Sequence, residues 1–175
     1  EATYSPIVDD AGRIDGYASR LHYFTDWIRD NRAKGVIRDL TPEVGGAPWD
    51  KRIDFMTAHR DRYPPLADDE TFRRVAVVEA ELTAMRKHHL PRERFRSREA
   101  LIRDGDILAV TSAQAGMDVL HVGFALRRRG RVHLLHASET AGRVDVSPET
   151  LHRYLHRRRI RTGLLIARVC GDGRE

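Results

Sequence analysis

Apolar residues recur along this chain with two different periods. In the first half the period is helical: Leu21, Phe24, Trp27 and Ile28 fall on one face, with Ser19 placed to cap the helix and Gly35 to end it. A second helix is predicted from about Glu70 to Lys87, capped by Asp69, with Phe72, Val75, Val78, Leu82 and Met85 as its apolar stripe. Residues 36–65 between them are broken by Pro42, Gly45-Gly46, Pro48 and Pro64-Pro65. The last third changes to strand-like runs at Ile107–Thr111, Val119–Leu126 and Arg131–Ala137. Gly105-Asp106 opens the first run, and Arg128-Arg129-Gly130 supplies a tight turn between the second and third. Ser147 as cap and Pro148 at the first helical position start a helix through about Arg158, with Glu149 as a favourable first-turn acid. Leu164–Val169 is a final strand. Residues 1–16, with Pro6 and Asp9-Asp10-Ala11-Gly12, read as loop, and Gly171–Glu175 as a frayed tail. Helices first and an antiparallel sheet afterwards predict an α+β architecture in a single domain over residues 1–175.

Composition narrows this picture a little. A 41% hydrophobic fraction suffices for a core, and no apolar run approaches the ~20 residues that span a bilayer. The chain carries a net charge of +5, and only Lys34, Lys51 and Lys87 among its 31 basic residues are lysines. Arginine suits planar carboxylates and phosphates. An anionic wall polymer, an acidic lipid or a nucleic acid would each fit, and charge alone does not choose. One cysteine, Cys170, excludes an internal disulfide and a cysteine-rich zinc pattern. Gly45-Gly46 is followed by no Lys-Ser/Thr and is no phosphate loop.

Chemistry gathers at two histidines. His121 opens His-Val-Gly-Phe-Ala, and His136 sits in Leu-Leu-His-Ala-Ser on the next predicted strand. With the turn centred between Arg128 and Arg129 the two lie directly opposite. With the centre one residue further on, His136 faces Gly123 and still shares the His121 side, whereas a connection of the other parity separates them. Gly123 and Ala125 follow His121 on that face and leave room for an approaching group, so the face reads as a cleft and Val122, Phe124 and Leu126 as core. One imidazole takes a proton from a thiol or hydroxyl while the other fixes its tautomer and angle. The competing use, a metal site, wants a third ligand. Asp118 and His133 stand nearby, but His133 should face away from His136. Two ordinary half-buried histidines would show the same spacing.

At these residues the chain resembles the histidine hairpin of NlpC-type cell-wall peptidases, and more specifically the N-acetylmuramoyl-L-alanine amidase-like family. The matching segments are Gly16–Ile28, Asp54-Phe-Met56 with His59 and Tyr63, Gly105-Asp-Ile107, Gly116–His121 and Leu134–Gly142, spread over most of the chain. The resemblance implies a papain-like α+β fold whose antiparallel sheet packs against helices. It implies a Cys-His-His triad acting on amide bonds of the peptidoglycan stem, with His121 as general base and His136 as its orienter. It also implies an extracytoplasmic location, a muropeptide substrate, no cofactor, no metal and no nucleic-acid partner. In that family the nucleophilic cysteine lies upstream on the first turn of a helix, where the thiol is activated. The chain is expected to begin after that segment, and so to be N-terminally incomplete and inert alone. Cys170 precedes Gly-Asp-Gly, starts no helix and is a poor substitute.

Asp118, Ser138 and Arg52 complete the expected site as substrate-binding residues. Asp118 could instead be a solvated loop carboxylate or hold the loop into its strand, and Ser138 could satisfy the strand end. Arg52 and Arg60 could pair with stem carboxylates, and Tyr23 and Trp27 could border a groove, although Trp27 on an apolar helix face favours core packing. The run Arg157-Arg158-Arg159, with His152, His156 and Arg161, reads as a solvated helix face or as a nucleic-acid stripe. A non-catalytic wall-binding module and a basic nucleic-acid binder are the two alternatives to an enzyme.

Overall fold

The computed structural model describes residues 16–171. The expected N-terminal loop and C-terminal tail fall, but for Gly16 and Gly171, outside the described residues. The strands are β1 (Ile37–Asp39), β2 (Ala47–Pro48), β3 (His88–Pro91), β4 (Ile107–Ser112), β5 (Val119–Arg128), β6 (Arg131–Ser138), β7 (Arg143–Val146) and β8 (Arg161–Val169). The α-helices are α1 (Phe24–Ala33), α2 (Phe55–Ala58), α3 (Asp69–Ala84), α4 (Arg92–Arg98) and α5 (Leu151–His156). The strands form one antiparallel sheet in the order β2-β3-β8-β4-β5-β6-β7, with β1 also paired to β8. This is the expected α+β architecture, a sheet packed with helices. No described helix is long and apolar enough to cross a membrane.

Strand alternation sorts the core into two faces. Leu108, Val110, Ala125, Val132, Leu134, Leu164 and Ile166 meet Phe95 of α4 and Leu151 and Leu155 of α5 on one face. Ile107, Ala109, Leu165 and Ala167 meet Ile28, Phe24 and Trp27 of α1 on the other. A third cluster joins α3, through Val75 and Leu82, to Tyr23, Ile53, Phe55, Met56 and Leu66. Tyr23 is therefore core rather than groove: its hydroxyl donates to the buried Glu79, which also accepts from Met56 N and Thr57 N. Trp27 stacks on Phe24 with ring centroids 5.1 Å apart, as its helix face predicted.

Helix starts differ from expectation because the capping groups come from elsewhere. Ser19 lies in a turn, its hydroxyl donating to Gly16 O, and α1 begins four residues later behind Tyr23. Its first-turn Thr25 N donates instead to Asp118 Oδ2 at 2.8 Å, across 93 residues of sequence. The other end follows the sequence: Gly35, at φ 69°, donates to Arg32 O while Val36 N donates to Asn31 O, which closes the last turn. Asp68, one residue before the expected Asp69, caps α3 by accepting from Thr71 N. Thr150, not Ser147, caps α5. The Ser147 hydroxyl is buried and joins strand to loop, accepting from Leu134 N and donating to Glu149 O.

The two faces of β5 are the reverse of expectation. Ala125 is 2% exposed and packed in the core, while Val122 and Phe124 are 39% and 37% exposed. Helices α4 and α5 roof the face bearing the small residues, and bulky Leu134, Val132 and Leu108 from neighbouring strands fill the space that Gly123 and Ala125 leave. Along β5 itself the large Val122 and Phe124 lie outward and the small Gly123 and Ala125 inward.

Candidate active site

The β5–β6 hairpin turns through Arg129 and Gly130, whose φ values of 50° and 76° are both positive. A two-residue turn of that kind matches the twist of the strands it joins. Arg128 pairs with Arg131 and Phe124 with Leu135, so the next pair inward sets Gly123 against His136. This is the second of the two permitted registers: His121 and His136 share a face and sit diagonally. Gly123 makes the approach possible. A Cβ there would stand 2.6 Å from Leu135 O and 3.0 Å from His136 Cβ.

The result is a direct hydrogen bond, His121 Nε2 to His136 Nδ1, at 2.7 Å. The rings stand at 89° with centroids 4.8 Å apart, and the Tyr154 ring of α5 lies 5.9 Å from that of His136. Burial lowers the pKa of His121, reinforced by His136 and by the Arg161 cation. Burial and then Arg161 lower His136, against the weaker pull of Asp145. Both imidazoles are therefore biased to be neutral at pH 7. A neutral pair shares one bridging proton. When that proton sits on His121 Nε2, His121 Nδ1 is a free acceptor and His136 keeps its own proton on Nε2.

These rings open into a pocket of about 980 Å³ between β6, β7 and α5. Every residue lining it lies between Leu120 and Arg161. Ser138 is among them, its Oγ accepting from Ala141 N at 3.2 Å and so bracing the β6–β7 turn. Asp118 and Arg52 are not. Asp118 is 3% exposed, and its two oxygens accept from Thr25 N and Val119 N, so it is neither solvated nor open to this pocket. Burial raises its pKa, while those donors oppose the rise. Arg52 projects into solvent beside Asp54, 2.5 Å away. Arg60 is engaged with Leu66 O, Ala67 O and Asp69.

Cys170 donates its backbone N–H to Val36 O at the far end of β8. His121 shares a register row with Val110 and Leu164, six residues back along that strand, which places Cys170 roughly 20 Å away. Among the described residues no three His, Cys, Asp or Glu side chains gather as a metal site. His133, on the other side of its strand, bonds Ser147 O through Nδ1.

Tyr154 and Arg161 are the functional candidates that sequence reasoning passed over. The Arg161 guanidinium lies 3.6 Å from the Tyr154 ring centroid and donates from Nη1 to Tyr154 O at 2.6 Å. Plain alternation from Leu164 would aim Arg161 at the opposite face. The register irregularity between Thr111 and Ser112, opposite Gly163 and Arg161, turns it into the pocket.

No curated protein sequence matches the chain. Solved structures do. One from Bacteroides fragilis, provisionally named a xylanase, is 34% identical over 90% of this chain and 70% of its own, with a TM-score of 0.85. An N-acetylmuramoyl-L-alanine amidase from Bacteroides uniformis ATCC 8492 is likewise 34% identical, over 90% and 68% of the two chains, with a TM-score of 0.85. A protein from Legionella pneumophila, 18% identical with a TM-score of 0.56 over 89% and 64%, shares the fold. The profile of the N-acetylmuramoyl-L-alanine amidase-like (AmiA-like) family matches residues 9–164. The hairpin that carries the two histidines lies inside that match, and the chain belongs to the N-acetylmuramoyl-L-alanine amidase-like family.

Proposed function

We propose that this chain supplies the base and its orienting partner to a peptidoglycan hydrolase, a papain-like cysteine amidase of the NlpC type working outside the cytoplasm. The observation that carries the reading is the 2.7 Å bond from His121 Nε2 to His136 Nδ1 at the mouth of a pocket, in a chain of the amidase-like family. In this reaction His121 Nδ1 takes the proton of a thiol. His136 Nδ1 accepts a hydrogen bond from His121 Nε2–H, fixes the ring, and spreads the charge that forms. The thiolate attacks the amide carbon, and His121 returns its proton to the leaving amine. Water then releases the acyl group by the same base. By the family resemblance the thiol would come from a cysteine upstream of Glu1; Cys170 lies at the wrong end of β8. Ser138, which lines the pocket, would contact the substrate from β6 on this reading, whereas Asp118 ties α1 to the entrance of β5.

Glycoside cleavage, which the provisional name of one relative would suggest, needs a carboxylic acid held protonated near neutral pH beside a second carboxylate. Of the pocket's three acids, Glu139, Asp145 and Glu149, the second is held low by the Val146 N–H and Arg143 and the third is paired with Arg157. The histidine pair fits amide cleavage better.

The test is muropeptide turnover by the protein produced with the residues encoded before Glu1. His121→Ala should lower kcat/KM by about 10⁴-fold, and Cys170→Ser should leave it unchanged. Turnover that survives His121→Ala, or an upstream sequence with no cysteine, refutes the proposal. Retention on purified peptidoglycan without turnover would make the chain a wall-binding module instead.

A further inference from the structure

Arg161 stands out among the arginines of the fold. It is half-buried, and its position is fixed three times over: its ring contact and Nη1 bond hold it on Tyr154, its backbone N–H donates to Arg158 O, and its carbonyl accepts from Arg92 Nη1. Among the described residues no carboxylate lies within ion-pair distance of it. The half-buried Arg131 and Arg168, by contrast, are tied to Glu99 and Asp106. Glu149, in the loop before α5 and near enough to act on Arg161, is taken by Arg157 at 3.3 Å. Among the described residues only Nη1 of its side chain is engaged, which leaves the Nε–Nη2 edge without a partner there, in a pocket that also holds His121 and His136. A desolvated cation without a counter-charge is costly, and the vacant edge is the one that matches a carboxylate with two parallel hydrogen bonds.

We infer that Arg161 is the anion anchor of this pocket: its Nε–Nη2 edge takes a carboxylate of the peptide substrate and sets the scissile amide beside the His121–His136 pair. The inference rests on the hydrolase reading for the identity of the ligand, and on the vacant guanidinium edge for its chemistry. Arg153, Arg157 and Arg158 at the rim add to the field that draws an anion in, whereas Glu139, Asp145 and Glu149 confine the favourable spot to Arg161. Binding has a second effect. Arg161 depresses both imidazoles, so an anion that neutralises it returns basicity to His121 when substrate is in place. Arg161 is thus a substrate-binding residue that also tunes the base.

The experiment is calorimetric titration of the 175-residue chain with N-acetylmuramoyl-L-alanyl-D-glutamate and with its diamide, which is isosteric and uncharged. The acid should bind at least about tenfold more tightly than the diamide, the increment of one charge-assisted contact. Arg161→Gln should bring that ratio to about one, and Arg161→Lys, which keeps the charge but not the fork, should leave an intermediate ratio. Equal affinities for the two ligands in the wild type, no measurable binding of either, or a ratio that persists in Arg161→Gln would overturn the inference. The wild-type ratio decides the matter even where a variant fails to fold. An Arg161-dependent ratio, with no muropeptide turnover by the N-terminally extended protein, would leave the anchor standing and the hydrolase reading refuted. Turnover without any acid preference would do the reverse.

Discussion

Gly123→Ala tests the geometry of the hairpin and of the dyad together. The added methyl would meet Leu135 O at 2.6 Å, Leu134 Cδ1 at 2.9 Å and His136 Cβ at 3.0 Å. The leucine methyl can turn aside, but Leu135 O is backbone of a strand paired on both sides, to β5 and β7. Relief therefore requires β5 and β6 to separate locally by several tenths of an ångström. Overpacking of this kind costs about 1–3 kcal/mol. For a domain of this size that lowers Tm by roughly 2–4 °C per kcal/mol. Urea denaturation measures the loss directly, with an unchanged slope showing that the unfolded state is not the cause. Because the third contact is His136 Cβ, the same movement stretches the 2.7 Å imidazole bond. The bridging ring proton, seen by histidine-selective ¹⁵N–¹H correlation, should broaden or vanish. A variant with wild-type stability and an intact bridging-proton signal would refute the close approach on which this account of the site depends.

Two further outcomes follow from other contacts. Both histidines have folded pKa values below the ordinary 6.5, so the folded state prefers them neutral. Their contribution to stability is full above pH 6.5 and is lost as pH falls through the depressed values, and kcat/KM should fall over the same acid range; a rate that rises on acidification across it would contradict the neutral-base assignment. Asp106, 1% exposed, holds Arg168 by two bonds of 2.6 and 2.8 Å and accepts from Arg103 N, so Asp106→Ala should cost about 3 kcal/mol by urea denaturation; a loss under 1 kcal/mol would show that the pair adds little.

Much of the site was legible because it is local. Strands β4, β5, β6 and β8 fall within a few residues of expectation, whereas the four-residue β7 was missed. The shared face of His121 and His136 followed from parity, with the turn one residue further on. What failed depended on distant residues. Strands β1 and β2 are two or three residues long and exist through pairing, β1 with β8 and β2 with β3. Helix α4 buries a single apolar side chain, Phe95, too few for a visible stripe. The first helix starts where Asp118 can cap it, not at Ser19. The faces of β5 were reversed because side-chain size was read without knowing which face the helices would roof. Arg161 was hidden in a basic run because one irregularity in β4–β8 pairing decides where it points.

All residues lining the pocket lie between Leu120 and Arg161, within one uninterrupted stretch of chain. Its natural boundaries are the loop before Asp118 and the first residues of β8. In evolutionary terms, the proposed base, orienter and anion fork form one heritable block. A single recombination event spanning that block would carry the whole polar lining from one relative to another. Substrate preference can then diverge within about a quarter of the chain while the rest is selected for folding.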